Sequence, residues 1–185
     1  MDAMIRPVLL IFNGRGEEDQ YLYTVRLEGP QGHEPHPVTT DENGRATEAA
    51  EVDSLVASLG NESAELLLRA VSEFHKAART MFYDPATLQV VPPATRPKRL
   101  KPIMIAHEGL EEGEDNRHLY RVLYEAPGEP ISHVFIVDGD VMTIAWADAF
   151  FDDMGGSTAL AAPLLNSIMD MYEAAYPKTQ ALPLD

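Results

Sequence analysis

Carboxylates cluster twice in this sequence, at Glu17-Glu18-Asp19 and at Glu111-Glu112-Gly113-Glu114-Asp115. Oxygen ligands packed this densely suggest a hard cation. A calcium loop, however, alternates its ligands in a fixed register around a turn glycine, and neither segment does so. Both are expected to be solvated hairpin tips, and Glu17, Glu18, Asp19, Glu111, Glu112, Glu114 and Asp115 are the candidate contacts for a basic partner. His33-Glu34-Pro35-His36 sets two imidazoles three residues apart. On a helix that spacing would suit a metal, but Pro35 and Pro37 predict a loop from Gly29 to Pro37. His107 and His118 flank the second acidic segment and His133 opens an apolar run. Each is read as a core or surface histidine, with a metal or acid–base role as the lesser alternative. No metal and no cofactor are expected.

Other chemistry-bearing types give less. Gly155-Gly156-Ser157-Thr158 precedes a helical pattern and could offer backbone N–H groups to a phosphate. It carries no Lys, and Asp152 and Asp153 stand just before it, so a helix-cap linker is the reading. Trp146 and Asp148 with Phe150 and Phe151 would shape either a small pocket or an aromatic core cluster, and the core is favoured. Nucleophile-elbow, Walker and dinucleotide patterns do not occur. A pocket enzyme using Asp148, His107 or His133 is the weakest of three function classes.

The elements that must position these groups read as an α+β chain. The run from His133 to Trp146 is the most apolar and is broken once, at Asp138-Gly139, which predicts a β-hairpin with a type I′ turn. Its strands are expected to be central or buried. Alternation in Tyr21-Leu22-Tyr23-Thr24-Val25-Arg26-Leu27 predicts a strand buried on one side. Arg6 to Phe12 predicts a buried strand, and Val38 to Thr47 a polar hairpin at a sheet rim, turning at Asn43-Gly44. Val52, Leu55, Val56 and Leu59 have helical spacing, and a longer amphipathic helix follows through Leu67, Ala70, Val71, Phe74, Ala78 and Met81. Pro85, Pro92, Pro93 and Pro97, with Arg96, Lys98 and Arg99, mark a basic linker.

The pattern then restarts. Lys101-Pro102-Ile103-Met104-Ile105 matches Arg6-Pro7-Val8-Leu9-Leu10, Leu119-Tyr120-Arg121-Val122 matches Leu22-Tyr23-Thr24-Val25, and Asp138-Gly139 falls opposite Asn43-Gly44. Apolar type, turn chemistry and acidic loops keep register, which predicts a tandem duplication. The expected organisation is a first ββββαα repeat over 1–84, a Pro-rich basic linker over 85–100 and a second ββββαα repeat over 101–185. Two such layers, each a β-hairpin, β-hairpin, helix-helix unit, would share one pseudo-twofold core with antiparallel sheet. Pro163 predicts a late start or a kink in the last helix.

The formal net charge is −16 and there is no Cys. This balance repels phosphate backbones at long range and favours basic partners. Neither a signal-peptide core nor a membrane-length apolar run occurs, so a cytoplasmic monomer or homodimer is expected. Four strands followed by a helix, twice, resembles the topology of single-strand nucleic-acid binders of the PUR and Whirly type. That resemblance implies base stacking on exposed sheet aromatics, with Tyr21, Tyr23, Tyr120, Tyr124 and Arg121 as the candidates. Small acidic α+β chaperones of type III secretion are also similar in outline. The leading expectation is a non-enzymatic, acidic protein-interaction module (adaptor, chaperone-like factor or inhibitor) that engages a basic protein surface. The single-strand nucleic-acid binder is the alternative.

Overall fold

A computed structural model describes residues 4–79, 86, 87, 89, 92, 100–125, 130–154 and 158–178, with the side chains of 158–160 excepted. The chain is α+β, with four helices and one seven-stranded antiparallel sheet among these residues. β1 (Arg6–Arg15), β2 (Tyr21–Gly29) and β3 (Gly32–Thr40) precede α1 (Ala49–Leu59) and α2 (Asn61–Arg79). β4 (Lys101–Leu110), β5 (His118–Glu125), β6 (Ile131–Asp138) and β7 (Val141–Ile144) precede α3 (Ala147–Asp153) and α4 (Thr158–Ala175). The strand order is β3-β2-β1-β4-β5-β6-β7. β1 and β4 therefore sit at the centre, and Leu10 lies opposite Ile105.

One sheet face is apolar because the strands alternate. Leu10, Tyr23, Val25 and Leu27 on one side of the centre, and Ile105, Tyr120, Val122 and Phe135 on the other, are buried. All four helices contribute to that same core, through Leu55, Leu67 and Phe74, Phe150, and Leu164 and Ile168. α2 and α4 pack on each other more than on any strand. Ser167 Oγ donates to the Ala70 carbonyl at 2.7 Å where they meet. Arg69 bonds the Asp170 carboxylate through both Nε and Nη2 at the rim of that contact.

Several expectations are corrected. The segment from Gly29 to Pro37 is largely strand, not loop: β3 pairs with β2 from Gly32 to Thr40. The prolines are compatible with this because β3 is an edge, and an edge strand has amide positions that need no partner. The polar hairpin over Val38 to Thr47 shrinks to one bridge, Thr40 to Ala46; it stands at the sheet rim as expected, though Val38, Thr39 and Thr40 are buried. The apolar strand at His133 to Val137 is not central but next to the edge strand β7, with His133, Phe135 and Val137 buried. Its turn is a two-residue loop, Gly139-Asp140, with positive φ at Gly139 alone. That is the type II′ pattern rather than I′. α4 runs through Pro163 without a late start. The Gly155–Ser157 linker and the basic residues Arg96, Lys98 and Arg99 lie outside the described residues.

Candidate functional site

The two edges of the sheet are finished differently. On β3, Pro35 and Pro37 have no N–H to offer, and they share a strand parity with Thr39. The Thr39 amide donates instead to Glu51 Oε2 of α1 at 2.6 Å, and its hydroxyl donates to Glu51 Oε1 at 3.0 Å. Thr47 N donates to the Thr39 carbonyl at 2.9 Å. Pro35, Pro37 and Thr39 thus offer no free amide to a further strand. On β7, Val141-Met142-Thr143-Ile144 pairs with β6 on one side, and no described residue pairs with the other. It holds neither proline nor charge. An edge of this kind is a template for strand addition.

Trp146 follows that edge. It is 85% exposed, the most exposed of the large apolar side chains among the described residues, and Val141 at the other end of β7 is 63% exposed. Trp146 takes left-handed backbone angles (φ 57°, ψ 50°) at the N-cap of α3, with no side-chain cap bond. Left-handed geometry costs a residue with a Cβ about 1–2 kcal/mol, and Trp is not among the residues that cap helices. Neither propensity nor burial accounts for an indole here. Phe150 is buried in the core and Phe151 packs against it, as the core-cluster reading expected, but Trp146 and Asp148 are exposed and do not join them.

The acidic loops sit by strand direction. Because β1 and β4 are antiparallel, the tip carrying Glu17, Glu18 and Asp19 and the tip carrying Glu111, Glu112, Glu114 and Asp115 are at opposite ends of the sheet. Asp19 is paired with Arg15 at 2.5 Å and Glu111 with Arg117 at 2.8 Å. Among the described residues the other five form no ion pair. His118 lies opposite Val137, so the second tip stands two strands from the Asp138-Gly139-Asp140 turn, about 10 Å. Together they make one acidic end beside β7, where Asp140 pairs with Lys178 at 2.5 Å.

The tyrosines do not form a stacking platform. Tyr23, Tyr120 and Tyr124 are at most 2% exposed and face the helices, contrary to the expectation of an open sheet face. Tyr21 is half-buried against His75. Arg121 does stand on the other face, where Glu108 holds its guanidinium at 2.5 and 3.1 Å.

Two aromatic clusters close the ends of the helix layer. In the first, the Arg79 guanidinium lies 3.9 Å from the Phe12 ring centre and 4.6 Å from that of Tyr21. Its Nη1 donates to Tyr23 Oη at 3.0 Å. His75 Nε2 is 2.8 Å from the Glu42 carbonyl, which only accepts, so Nε2 carries the proton. Nδ1 then accepts from the Tyr23 hydroxyl at 2.8 Å. Burial holds the His75 pKa below its usual value and raises that of Tyr23, so both are neutral. In the second cluster His107 Nε2 and His118 Nδ1 are 3.2 Å apart, with Tyr120, Tyr172 and Tyr176 around them and Arg6 over the Tyr176 ring. Burial, then repulsion from His118, pushes the His107 pKa down to about 4. Elsewhere His133 Nε2 bonds Asp153 at 3.0 Å, and His36 Nδ1 bonds Ser54 at 3.2 Å. Asp148 is exposed and His33 stands on the β3 edge.

Among the described residues no group of three or more His, Cys, Asp or Glu is arranged to hold a metal ion. Nor is any helix there long and apolar enough to cross a membrane. No protein-family model, curated protein or solved structure matches the chain.

Proposed function

We propose that this chain is a non-enzymatic, acidic interaction module of the cytoplasm, and that it adds an extended segment of a basic protein to the open edge of β7. The observation that carries the reading is Trp146, held exposed in a costly backbone conformation beside a strand whose outer edge no described residue pairs. Strand addition gives affinity through main-chain hydrogen bonds and specificity through alternate side chains. An exposed indole is the kind of anchor that dominates interface energetics. Charge selects the occupant. Asp138 and Asp140 lie at one end of β7 and Asp148 at the other, in a chain of net charge −16. A second copy pairing antiparallel on this edge would set these like charges against each other. A segment bearing Lys or Arg would neutralise them. Glu111, Glu112, Glu114 and Asp115 extend the same field, whereas Glu17, Glu18 and Asp19 act only at long range, from the far end.

Trp146 is the single Trp of the chain, so its fluorescence reports the site. A synthetic peptide of alternating valine and lysine is expected to shift its emission to the blue, less so as salt rises. A valine–glutamate peptide, and a lysine peptide interrupted by prolines, are expected to leave it in place. Emission that responds equally to the proline-interrupted peptide, or to none, would overturn the proposal.

We infer in addition that the two halves descend from one duplicated unit related by a pseudo-twofold axis through the sheet centre. Supporting this, Leu10 lies opposite Ile105, its counterpart at the 95-residue offset seen in the sequence match. Register shifts fall at Pro7/Leu9 and Phe12/Gly14 on β1, and at Pro102/Met104 and His107/Gly109 on β4, each at that same spacing. The contact of Ala70 with Ser167 joins the two long helices at counterpart positions.

A further inference from the structure

The first aromatic cluster borders a cavity of about 530 Å³ between the loop at 41–45 and helix α2. Arg45, Lys76 and Arg79 converge on it, with Ser72 and Asn43 as neutral donors and Glu42 as the one carboxylate of its lining. In a chain of net charge −16 this is a local reversal of sign. Arg79 is held in place from behind. Phe12 and Tyr21 flank its guanidinium, Tyr23 Oη takes one of its protons, and it forms no ion pair with any described residue. Arg45 forms no ion pair with any described residue; the neighbouring Asp41 accepts the Asn43 and Arg45 amides on Oδ1 at 2.8 and 2.9 Å, and its pKa is held down by the Arg45 amide and further by the Arg45 charge. Lys76 is shared with Glu73 at 2.6 Å.

The loop is fixed as firmly as the arginine. His75 Nε2 holds the Glu42 carbonyl, and Gly44 has a φ of +78° and sits so close to His75 that a Cβ would lie 2.9 Å from the His75 Cβ. A guanidinium whose orientation is set before any ligand arrives loses little freedom on binding and presents its donors as a planar fork. Such a fork suits phosphate oxygens, and each charge-assisted hydrogen bond is about twice as strong as a neutral one. Lys76 is paired with Glu73, so Arg45 and Arg79 are the cations that a bound anion would meet in this lining, against Glu42.

We propose that this cavity is a binding site for the phosphate group of a small phosphorylated molecule, with Arg79 as the preset donor and Arg45 and Ser72 completing the cradle. It is independent of the β7 edge, which belongs to the other half of the chain. Calorimetric titration with phenyl phosphate, inorganic phosphate and benzoate tests it on the intact chain. Phenyl phosphate is expected to bind, benzoate to bind more weakly, and R45Q and R79K each to weaken phenyl phosphate by about tenfold. R45Q alters an exposed side chain and is expected to unfold at the temperature of the parent, so its loss is one of binding even if R79K folds poorly. Inorganic phosphate binding as tightly as phenyl phosphate would identify the free ion as the ligand of the same cradle. Phosphates that fail to bind the parent chain, or that bind R45Q undiminished, would overturn the proposal.

Discussion

Glu51 accepts the Thr39 amide at 2.6 Å, so the first turn of α1 seals the sheet at β3. The bond satisfies an amide that a strand edge would otherwise leave to another chain. Glu51→Ala removes the acceptor of both the Thr39 amide and its hydroxyl, in a part-buried setting. The expected loss is about 1–3 kcal/mol in urea unfolding. Light scattering is expected to show concentration-dependent association that Thr39→Pro, lacking the amide, does not.

Trp146→Asn sets a residue that tolerates left-handed geometry and caps helices at a position that uses both properties. The variant is expected to be more stable than the parent by about 1 kcal/mol in thermal unfolding. Its affinity for the valine–lysine peptide, followed by calorimetry, is expected to fall at least tenfold, within the range of an interface anchor. A variant that loses stability would show that the indole serves the fold.

Gly44→Ala introduces a Cβ against His75 at a φ where side chains are disfavoured. Its cost is expected to exceed about 1 kcal/mol, the ordinary effect of a substitution at incompatible angles. The His75 ring resonances are expected to shift with it, because the same contact positions the bond to Glu42.

His107 supplies a pH dependence of known sign. Its pKa is depressed from 6.5 to about 4 in the folded chain, first by burial and then by His118, so the unfolded chain binds more protons between those values. Stability from this group is complete above about pH 6.5, falls as the pH drops, and levels off below about pH 4. The amplitude is about 1–3 kcal/mol once screening is allowed for. His107→Phe, which copies the residue at Phe12, is expected to flatten this part of the profile in urea titrations across the window. An unchanged slope would assign the dependence to His75, His118 or His133, each also depressed.

How much of this was legible in the sequence follows from the range of the interactions. The strand at Tyr21 to Leu27, the amphipathic stripe of α2 from Leu67 to Ala78 and the acidic hairpin tips are local patterns, and they stand in the structure as read; Met81, at the end of that stripe, lies outside the described residues. β3 was not legible, because proline speaks against strands unless the strand is known to be an edge, and edges are decided by residues elsewhere. Tyr23, Tyr120 and Tyr124 showed their alternation but not which side the helices would cover. Arg79 gave no local signal: its setting is assembled from β1, β2 and a turn over thirty residues upstream. Trp146 was visible only as an aromatic among aromatics, since exposure is not written in composition.

The opposition of Leu10 and Ile105 carries a consequence for synthesis. β1 gains its second neighbour only from β4, which begins at Lys101, so the amino-terminal half leaves the ribosome with an unfilled strand flank at its most aliphatic point. Pairing across so long a stretch of chain is slow to nucleate. Until it forms, the nascent chain is most exposed to mispairing with its neighbours on the same message.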